Sequence, residues 1–194
     1  WGGEVNSRYA WKIDAANMCH DRFFENTPHR TAMQSVEAWP TNTTADEFVD
    51  NSTRMNSEVM LLTPTIGWRA IDRQIRCGFS VKKYGPQQKV DPEHPDCGIG
   101  IKPDGSFVTG NDPHDTSVET PPTYNIEWIN HLDKLHGKGA VRWFALDNEP
   151  CIWSGTHRDV HPEPLTYDEL WNKTVSYGGL LKQNFPNSTI FGPV

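Results

Sequence analysis

A glutamate that directly follows an apolar run is the residue of this sequence best placed for acid–base chemistry. Glu149 stands in Asn148-Glu149-Pro150, after residues 141–146, which read Val-Arg-Trp-Phe-Ala-Leu and predict a buried strand. A carboxyl group at the end of such a strand projects into the mouth of a barrel, where it could protonate the leaving oxygen of a glycoside. The preceding Asn148 could hydrogen-bond a sugar hydroxyl. The pattern favours glycoside cleavage with Glu149 as the acid/base.

Three aromatic residues are candidates for substrate contacts. Trp68 comes directly after a second strand-like run, residues 59–66, and its flat ring could stack on the C–H face of a sugar or pack in the core. Trp11 is a similar candidate. Tyr84 could line a cleft or pack a loop, and its setting favours packing.

A polar group follows Glu149 in the loop before the next helix: His157, Arg158, Asp159 and His161. A His-x-x-x-His spacing can bind a metal, but on a loop without a cysteine partner that signal is weak. The group is better explained as a hydrogen-bond network that orients the acid/base. His157 or His161 could also contact the substrate.

Short β-type runs alternate with amphipathic helical segments, which is the pattern of a parallel α/β fold. The predicted strands are residues 59–66, 141–146 and 189–192. The predicted helices start at the capping pairs Thr44-x-x-Glu47 and Thr166-x-x-Glu169 and extend over residues 124–136, with Gly137 after the last. Residues 77–123 lack any sustained period, so we expect a long binding insert on the carboxyl-end rim of the strands.

Size and charge exclude several classes of protein. The 194 residues suffice for one domain but fall short of a full eight-stranded α/β barrel. No apolar run reaches the roughly 18 residues that suggest a membrane span. The net charge of −7, without a Lys/Arg cluster, argues against nucleic acid and anionic membranes as partners. A neutral polysaccharide such as a glucan is compatible with this charge.

Two weak signals favour secretion. Asn-x-Ser/Thr acceptors occur at Asn42, Asn51, Asn172 and Asn187, which suggests an extracellular protein of eukaryotic origin. The four cysteines match no zinc signature. Cys77 and Cys97, which bracket a loop-like segment, are the preferred disulfide, whereas Cys19 and Cys151 could pair or stay free.

Several motifs in a fixed order resemble glycoside hydrolase family 44. They are residues 1–3 (Trp-Gly-Gly), 8–11 (Arg-Tyr-Ala-Trp), 63–68 (Thr-Pro-Thr-Ile-Gly-Trp), 79–85 (Phe-Ser-Val-Lys-Lys-Tyr-Gly), 110–117 (Gly-Asn-Asp-Pro-His-Asp-Thr-Ser), 146–150 (Leu-Asp-Asn-Glu-Pro), 156–162 (Thr-His-Arg-Asp-Val-His-Pro) and 191–194 (Phe-Gly-Pro-Val). The resemblance covers essentially the whole chain. It implies a retaining endo-β-1,4-glucanase, in some members active on xyloglucan, with a (β/α)8 barrel and a β-sandwich domain.

The resemblance also implies where this chain lies in such a barrel. It places Glu149 on the fourth strand, so residues 1–3 and 59–66 would be the second and third strands and residues 189–194 the fifth. Residues 1–194 would then be a fragment of one catalytic domain, a partial TIM-type barrel of about strands 2–5. The first strand and the glutamate nucleophile, which the family carries on a later strand, would lie outside the chain.

Asp112 and Asp115, in the polar turn of the long insert, resemble oxygen ligands for calcium, although both could simply cap turns. The family is known for a structural calcium, and the resemblance suggests Glu25 as a further ligand. No cofactor is expected for the chemistry itself.

Two alternatives to an endoglucanase stay open. The same barrel and Glu149 could serve xylan or mannan, or the protein could be a carbohydrate-binding protein without catalysis. We further expect a secreted, extracellular enzyme that is a monomer at full length. The 194-residue piece alone, with its open sheet edges, is expected to be inactive.

Overall fold

The computed structural model describes residues 1–29 and 43–193. The strands are β1 (Ala15–Asn17), β2 (Asn26–Pro28), β3 (Met60–Thr63), β4 (Trp68–Ala70), β5 (Ser117–Glu119), β6 (Trp143–Leu146) and β7 (Thr189–Phe191). The α-helices are α1 (Thr44–Arg54), α2 (Val81–Tyr84), α3 (Thr123–His136), α4 (Trp153–Thr156), α5 (Tyr167–Lys173) and α6 (Gly179–Asn184), with a π-helical turn, Thr174–Gly178, joining the last two. Short 3-10 turns, among them Glu4–Arg8 and Pro150–Ile152, complete the elements.

A parallel sheet in the order β3-β6-β7 forms the centre of the fold. The register sets Thr63 beside Leu146, so β3 and β6 end at the same edge. The chain start lies along the other side of β3: the Trp1 ammonium donates to the Met60 carbonyl, and the Leu62 N–H donates to the Trp1 carbonyl. These two hydrogen bonds are the pattern by which a residue pairs with a neighbouring parallel strand. The mixed α/β pattern predicted from the sequence is therefore confirmed.

The strands are shorter than the sequence predicted. β3 covers Met60–Thr63 of the predicted residues 59–66, and beyond it the N–H groups of Thr65 and Ile66 donate to the Asp147 side chain instead of to a strand. Residues 1–3 were predicted as a strand and are not one. Only Trp1 bridges to β3, since Gly3 turns the chain with a φ of 99° into a 3-10 helix.

The helix predictions were correct for α3 and α5 and displaced by one residue for α1. Thr166 caps α5 by accepting a hydrogen bond from the Glu169 N–H. The α1 capping box uses Thr43 and Asp46 instead of Thr44 and Glu47. Thr44 is the first residue of the helix, and its hydroxyl donates to the Asp14 carboxylate.

The main core lies between the sheet and the helices α1, α3 and α6. Its fully buried side chains include Val49, Leu61, Trp128, Ile129, Leu132, Phe144 and Leu181. A continuous core of this kind fixes the β3 and β6 ends, and through them the position of the residues that follow. The described residues contain no helix with the length and apolar character of a membrane span.

The predicted insert has more local structure than its composition suggested. Its end, β5, pairs antiparallel with β4, and its interior is closed by isolated bridges such as Val90 with Gly98 and Ile101 with Phe107. The preferred disulfide, Cys77–Cys97, is formed. Cys19 is free and buried, and Cys151 is free and exposed, so these two do not pair.

The predicted glycosylation acceptors fall in different places. Asn51, Asn172 and Asn187 are exposed, whereas Asn42 lies outside the described residues.

Candidate functional site

Glu149 lies just past the carboxyl end of β6, the central strand of the parallel sheet, and its side chain is exposed. Two residues in this short segment, Asp147 and Glu149, have the left-handed backbone conformation, with φ of 58° and 40°. For a residue other than glycine this conformation is costly and persists where surrounding contacts enforce it. The backbone turn that presents Glu149 is therefore held by specific interactions.

Asp147 supplies those interactions, with a side chain that is completely buried. Its Oδ2 accepts from the backbone N–H groups of Thr65 and Ile66, the latter at 2.9 Å. Its Oδ1 accepts from the Ser7 hydroxyl and, at 2.9 Å, from the Asn148 N–H. One carboxylate thus ties the β6 end to the β3 end and to the first 3-10 turn.

Asn148 lies between two carboxylates. Its Nδ2 donates to Oε2 of Glu4 at 2.9 Å and to Oε2 of Glu149 at 3.3 Å. The other oxygen of Glu4, Oε1, lies 2.9 Å from Nε2 of the fully buried His157, an ion-pair separation without the alignment of a linear hydrogen bond. Burial alone would raise the pKa of Glu4, but contacts with His157, Thr156 and Asn148 hold it below its ordinary value. Glu4 is therefore an anion at neutral pH.

The polar residues after Glu149 make four separate contacts instead of one network. His157 contacts Glu4, as described, and His161 lies 2.9 Å from Glu169 with its ring against Trp153.

The other two members of this group hold distant segments. Asp159 accepts two 2.7 Å hydrogen bonds from Nη1 of Arg8, and both side chains are fully buried. Arg158 donates to the carbonyls of Ile99 and Gly100 in the insert, with its guanidinium 4.6 Å from the Phe79 ring centroid. Only His157 is thus linked to Glu149, through Glu4 and Asn148.

The aromatic candidates occupy different environments. Trp68 is half-buried, its ring edge-to-face with His114, beside a surface depression at Gly67 and residues 119–121. Trp11 is 9% exposed and packs in the core. Tyr84 hydrogen-bonds through its hydroxyl to Asp115 and to the Asp112 N–H, which fits the packing role favoured from the sequence.

The three predicted calcium ligands do not converge. Asp115 pairs with Lys83 and Tyr84, and Asp112 caps the 3-10 turn Pro113–Asp115.

Glu25, fully buried, instead joins Asp91 and His94, with their ligand atoms within 4.8 Å of one another. The guanidinium of Arg22 already lies 2.6 Å from Glu25 and supplies a positive charge there. The arrangement of these residues does not fit a single ion held by Glu25, Asp112 and Asp115 together.

The sequence model of glycoside hydrolase family 44 matches residues 15–194. The chain belongs to this family. Over 98% of its length it is 36% identical to CelM2, a bifunctional glucanase-xylanase from a metagenome library, with a TM-score of 0.88. A Paenibacillus polymyxa xyloglucanase of family 44 aligns over the full chain at 21% identity with a TM-score of 0.66, a likeness of fold.

A curated relative, the β-mannanase/endoglucanase A of Caldicellulosiruptor saccharolyticus, is 23% identical over 200 residues. The chain spans 37% of the length of each of these two solved structures and 14% of this relative. The named source organisms are bacterial, so the eukaryotic origin suggested by the glycosylation acceptors has no support here.

Two groups around Glu149 were missed by sequence reasoning. Asp147 stands inside the Leu-Asp-Asn-Glu-Pro stretch, and its position between a buried strand and Asn148 was a usable signal for a buried, hydrogen-bonded carboxylate. Glu4 carried no such signal, because its partner Asn148 lies 144 residues away in sequence.

Proposed function

We propose that the full-length protein is a retaining, endo-acting β-1,4-glucanase in which Glu149 is the general acid/base. The main support for this proposal is the position of an exposed glutamate at the end of the central parallel strand. This glutamate lies in a strained turn that is stabilised by a buried aspartate. Family membership supports the reaction class. In a retaining mechanism a carboxylic acid protonates the leaving oxygen and then, as carboxylate, activates water.

The chain is proposed to cover strands 2–5 of a (β/α)8 barrel, as a fragment of one catalytic domain. The spatial order Trp1-β3-β6-β7 follows chain order, as in consecutive barrel strands. The nucleophile then lies on a strand outside these residues, and the isolated chain is inactive. Trp68, half-buried at the same rim, is the preferred sugar-stacking platform.

The substrate is proposed to be a β-1,4-glucan, with xylan and mannan as the alternatives. The names of the relatives include glucanase, xylanase, xyloglucanase and β-mannanase, which supports a β-linked polysaccharide and leaves the sugar open. To distinguish these substrates, reducing-end release by the full-length enzyme is measured on carboxymethyl-cellulose, xyloglucan, xylan and mannan. Activity confined to xylan or mannan would contradict the glucanase assignment.

Secretion and a monomeric state are proposed as well, and a structural calcium is proposed only without Asp112 and Asp115 as joint ligands with Glu25. Exposed Asn51, Asn172 and Asn187 and the disulfide Cys77–Cys97 support an oxidising, extracellular setting.

The test of the mechanism is the variant Glu149→Gln in the full-length protein. We expect kcat on unactivated glucan to fall by about 100-fold or more, since acid–base catalysis contributes about 10²–10⁴, while glucan binding is retained. Glu163→Gln is the matched control, because Glu163 is an exposed glutamate in the loop before α5. Unchanged hydrolysis by Glu149→Gln would remove Glu149 from the mechanism, and a wild-type protein that binds glucan without cleaving it would favour the binding-protein alternative.

A further inference from the structure

Glu4 is a charged residue at the candidate site that the acid/base assignment leaves unused. It begins the 3-10 turn Glu4–Arg8, directly after Gly3, and its side chain is 12% exposed. A carboxylate that is largely removed from water is costly unless its oxygens are satisfied. Oε2 of Glu4 accepts a hydrogen bond from Asn148, whereas Oε1 lies 2.9 Å from Nε2 of His157 without a hydrogen bond, and both neighbours belong to the segment that follows β6.

The contacts of Glu4 determine how the Asn148 amide is oriented. An ionised carboxylate is only an acceptor, so the end of the amide that meets Glu4 and Glu149 must be the NH₂ group. This removes the usual ambiguity between the nitrogen and oxygen of an asparagine. With Nδ2 held between two carboxylates, the carbonyl oxygen Oδ1 necessarily lies on the opposite side of the planar group.

The same nitrogen connects Glu4 to Glu149. One N–H of Asn148 is donated to Glu4 at 2.9 Å and the other to Glu149 at 3.3 Å, so the position of the exposed Glu149 carboxyl depends on an amide that Glu4 anchors. Glu149 is exposed and its side chain has several rotatable bonds, whereas Glu4 is only 12% exposed and its other oxygen lies 2.9 Å from the fully buried His157. A chain of contacts therefore leads from His157 through Glu4 and Asn148 to Glu149.

We propose that Glu4 is a positioning residue for the acid/base: its charge fixes the Asn148 amide, which holds the Glu149 carboxyl and turns its own carbonyl oxygen toward a sugar hydroxyl. This inference rests on the proposed function of Glu149. Glu4 itself does not exchange a proton with the substrate. Loss of Glu4 should lower the rate of the chemical step, because a misplacement of a catalytic group by about 1 Å can cost about 100-fold in rate.

The test uses the full-length enzyme with the isosteric variant Glu4→Gln, which keeps the shape and removes the charge. The Gln carbonyl can still accept from Asn148, but this hydrogen bond then lacks a charged acceptor and is weaker, and the new NH₂ group faces His157. We expect kcat on unactivated glucan to fall by about tenfold or more, with KM changed by less than about threefold. Glu163→Gln removes the same charge from an exposed position and should leave both constants within about twofold.

A double-variant cycle separates positioning from a general structural effect. If Glu4 acts through Asn148, the double variant Glu4→Gln/Asn148→Ala should be no slower than Asn148→Ala alone, within about twofold. Rates are normalised to the folded fraction, measured by circular dichroism and urea unfolding. A normal kcat per folded Glu4→Gln molecule, or a double variant whose losses multiply, would overturn the inference.

Failure of this inference can be told apart from failure of the proposed function. Full hydrolysis by Glu149→Gln would refute both. Loss of hydrolysis in Glu149→Gln combined with a normal kcat in Glu4→Gln would leave Glu149 as acid/base and refute the role of Glu4 alone.

Discussion

Replacing Asp147 by asparagine tests whether one buried carboxylate holds the turn that presents Glu149. The variant has nearly the same shape but exchanges one acceptor oxygen for an NH₂ group. In the native protein Oδ2 accepts from the backbone of Thr65 and Ile66, and Oδ1 accepts from the Ser7 hydroxyl and the Asn148 N–H. The asparagine can satisfy only one of these two pairs.

The less costly orientation keeps the oxygen toward Thr65 and Ile66. The NH₂ group then faces the Ser7 hydroxyl and the Asn148 N–H. The hydroxyl can rotate to accept a hydrogen bond, whereas the N–H is only a donor and loses its acceptor. An unmet donor costs about 1–3 kcal/mol, and each of the two backbone bonds loses about 1 kcal/mol when its acceptor becomes neutral. The expected total is about 3–5 kcal/mol of unfolding free energy, at the upper end of single-substitution effects.

The assay is equilibrium urea unfolding of the full-length protein, with Asp104→Asn as the matched control. Asp104 is exposed and accepts from Ser106 in a turn, a role that asparagine performs equally well. The control should change the unfolding free energy by no more than about 0.5 kcal/mol. A loss of less than about 1 kcal/mol in Asp147→Asn would refute the reasoning, since it would mean that the N–H groups around Asp147 find other acceptors.

Two further predictions concern buried groups. Burial raises the pKa of the Cys19 thiol to about 12. Iodoacetamide at pH 8 should therefore label the exposed Cys151 in the native protein and Cys19 only after unfolding. Peptide mapping measures the labelling of each cysteine, and equal labelling of the two in the native protein would contradict the prediction. Arg8→Met removes the guanidinium whose Nη1 donates both hydrogen bonds to Asp159, and leaving this buried carboxylate unpaired should cost about 3–5 kcal/mol in urea unfolding. A cost of less than about 1 kcal/mol, typical of surface pairs, would show that the pair is not held tightly.

The parts of the fold that were predictable depend on local sequence. Residues 143–146 are apolar because β6 is largely buried, and the polar Asn148 and Glu149 that follow mark its end, so Glu149 could be placed at the end of a strand without a structure. Helix α3 was predictable because Gly137, with a φ of 95°, ends a run with regular apolar spacing. The start of α1 was misplaced by one residue because Thr43 and Thr44 are both capable caps. Thr44 contacts Asp14, which lies 30 residues away, and local sequence does not show this contact.

The contacts that order the site were not predictable for the same reason. Asn148 meets Glu4, Asp147 meets Ser7, and Asp159 meets Arg8 across separations of 144, 140 and 151 residues. No periodicity or spacing carries such information. The local structure of the insert was not predicted, because bridges such as Ile101 with Phe107 form between residues that show no strand pattern.

Three of the five residues in the turn Glu4–Arg8 bond to the segment after β6. Glu4 anchors the amide beside Glu149, Ser7 bonds to the aspartate that holds the strained backbone, and Arg8 pairs with the buried carboxylate of Asp159 further along. A tight turn places such closely spaced side chains in reach of one neighbouring loop, because each residue advances the chain by only about 2 Å. The geometry of the loop that presents Glu149 therefore depends on this turn as well as on its own Asp147, and Trp1 ties the turn to the edge of β3. Substitutions in the turn should consequently alter the site although they lie far from the loop in sequence.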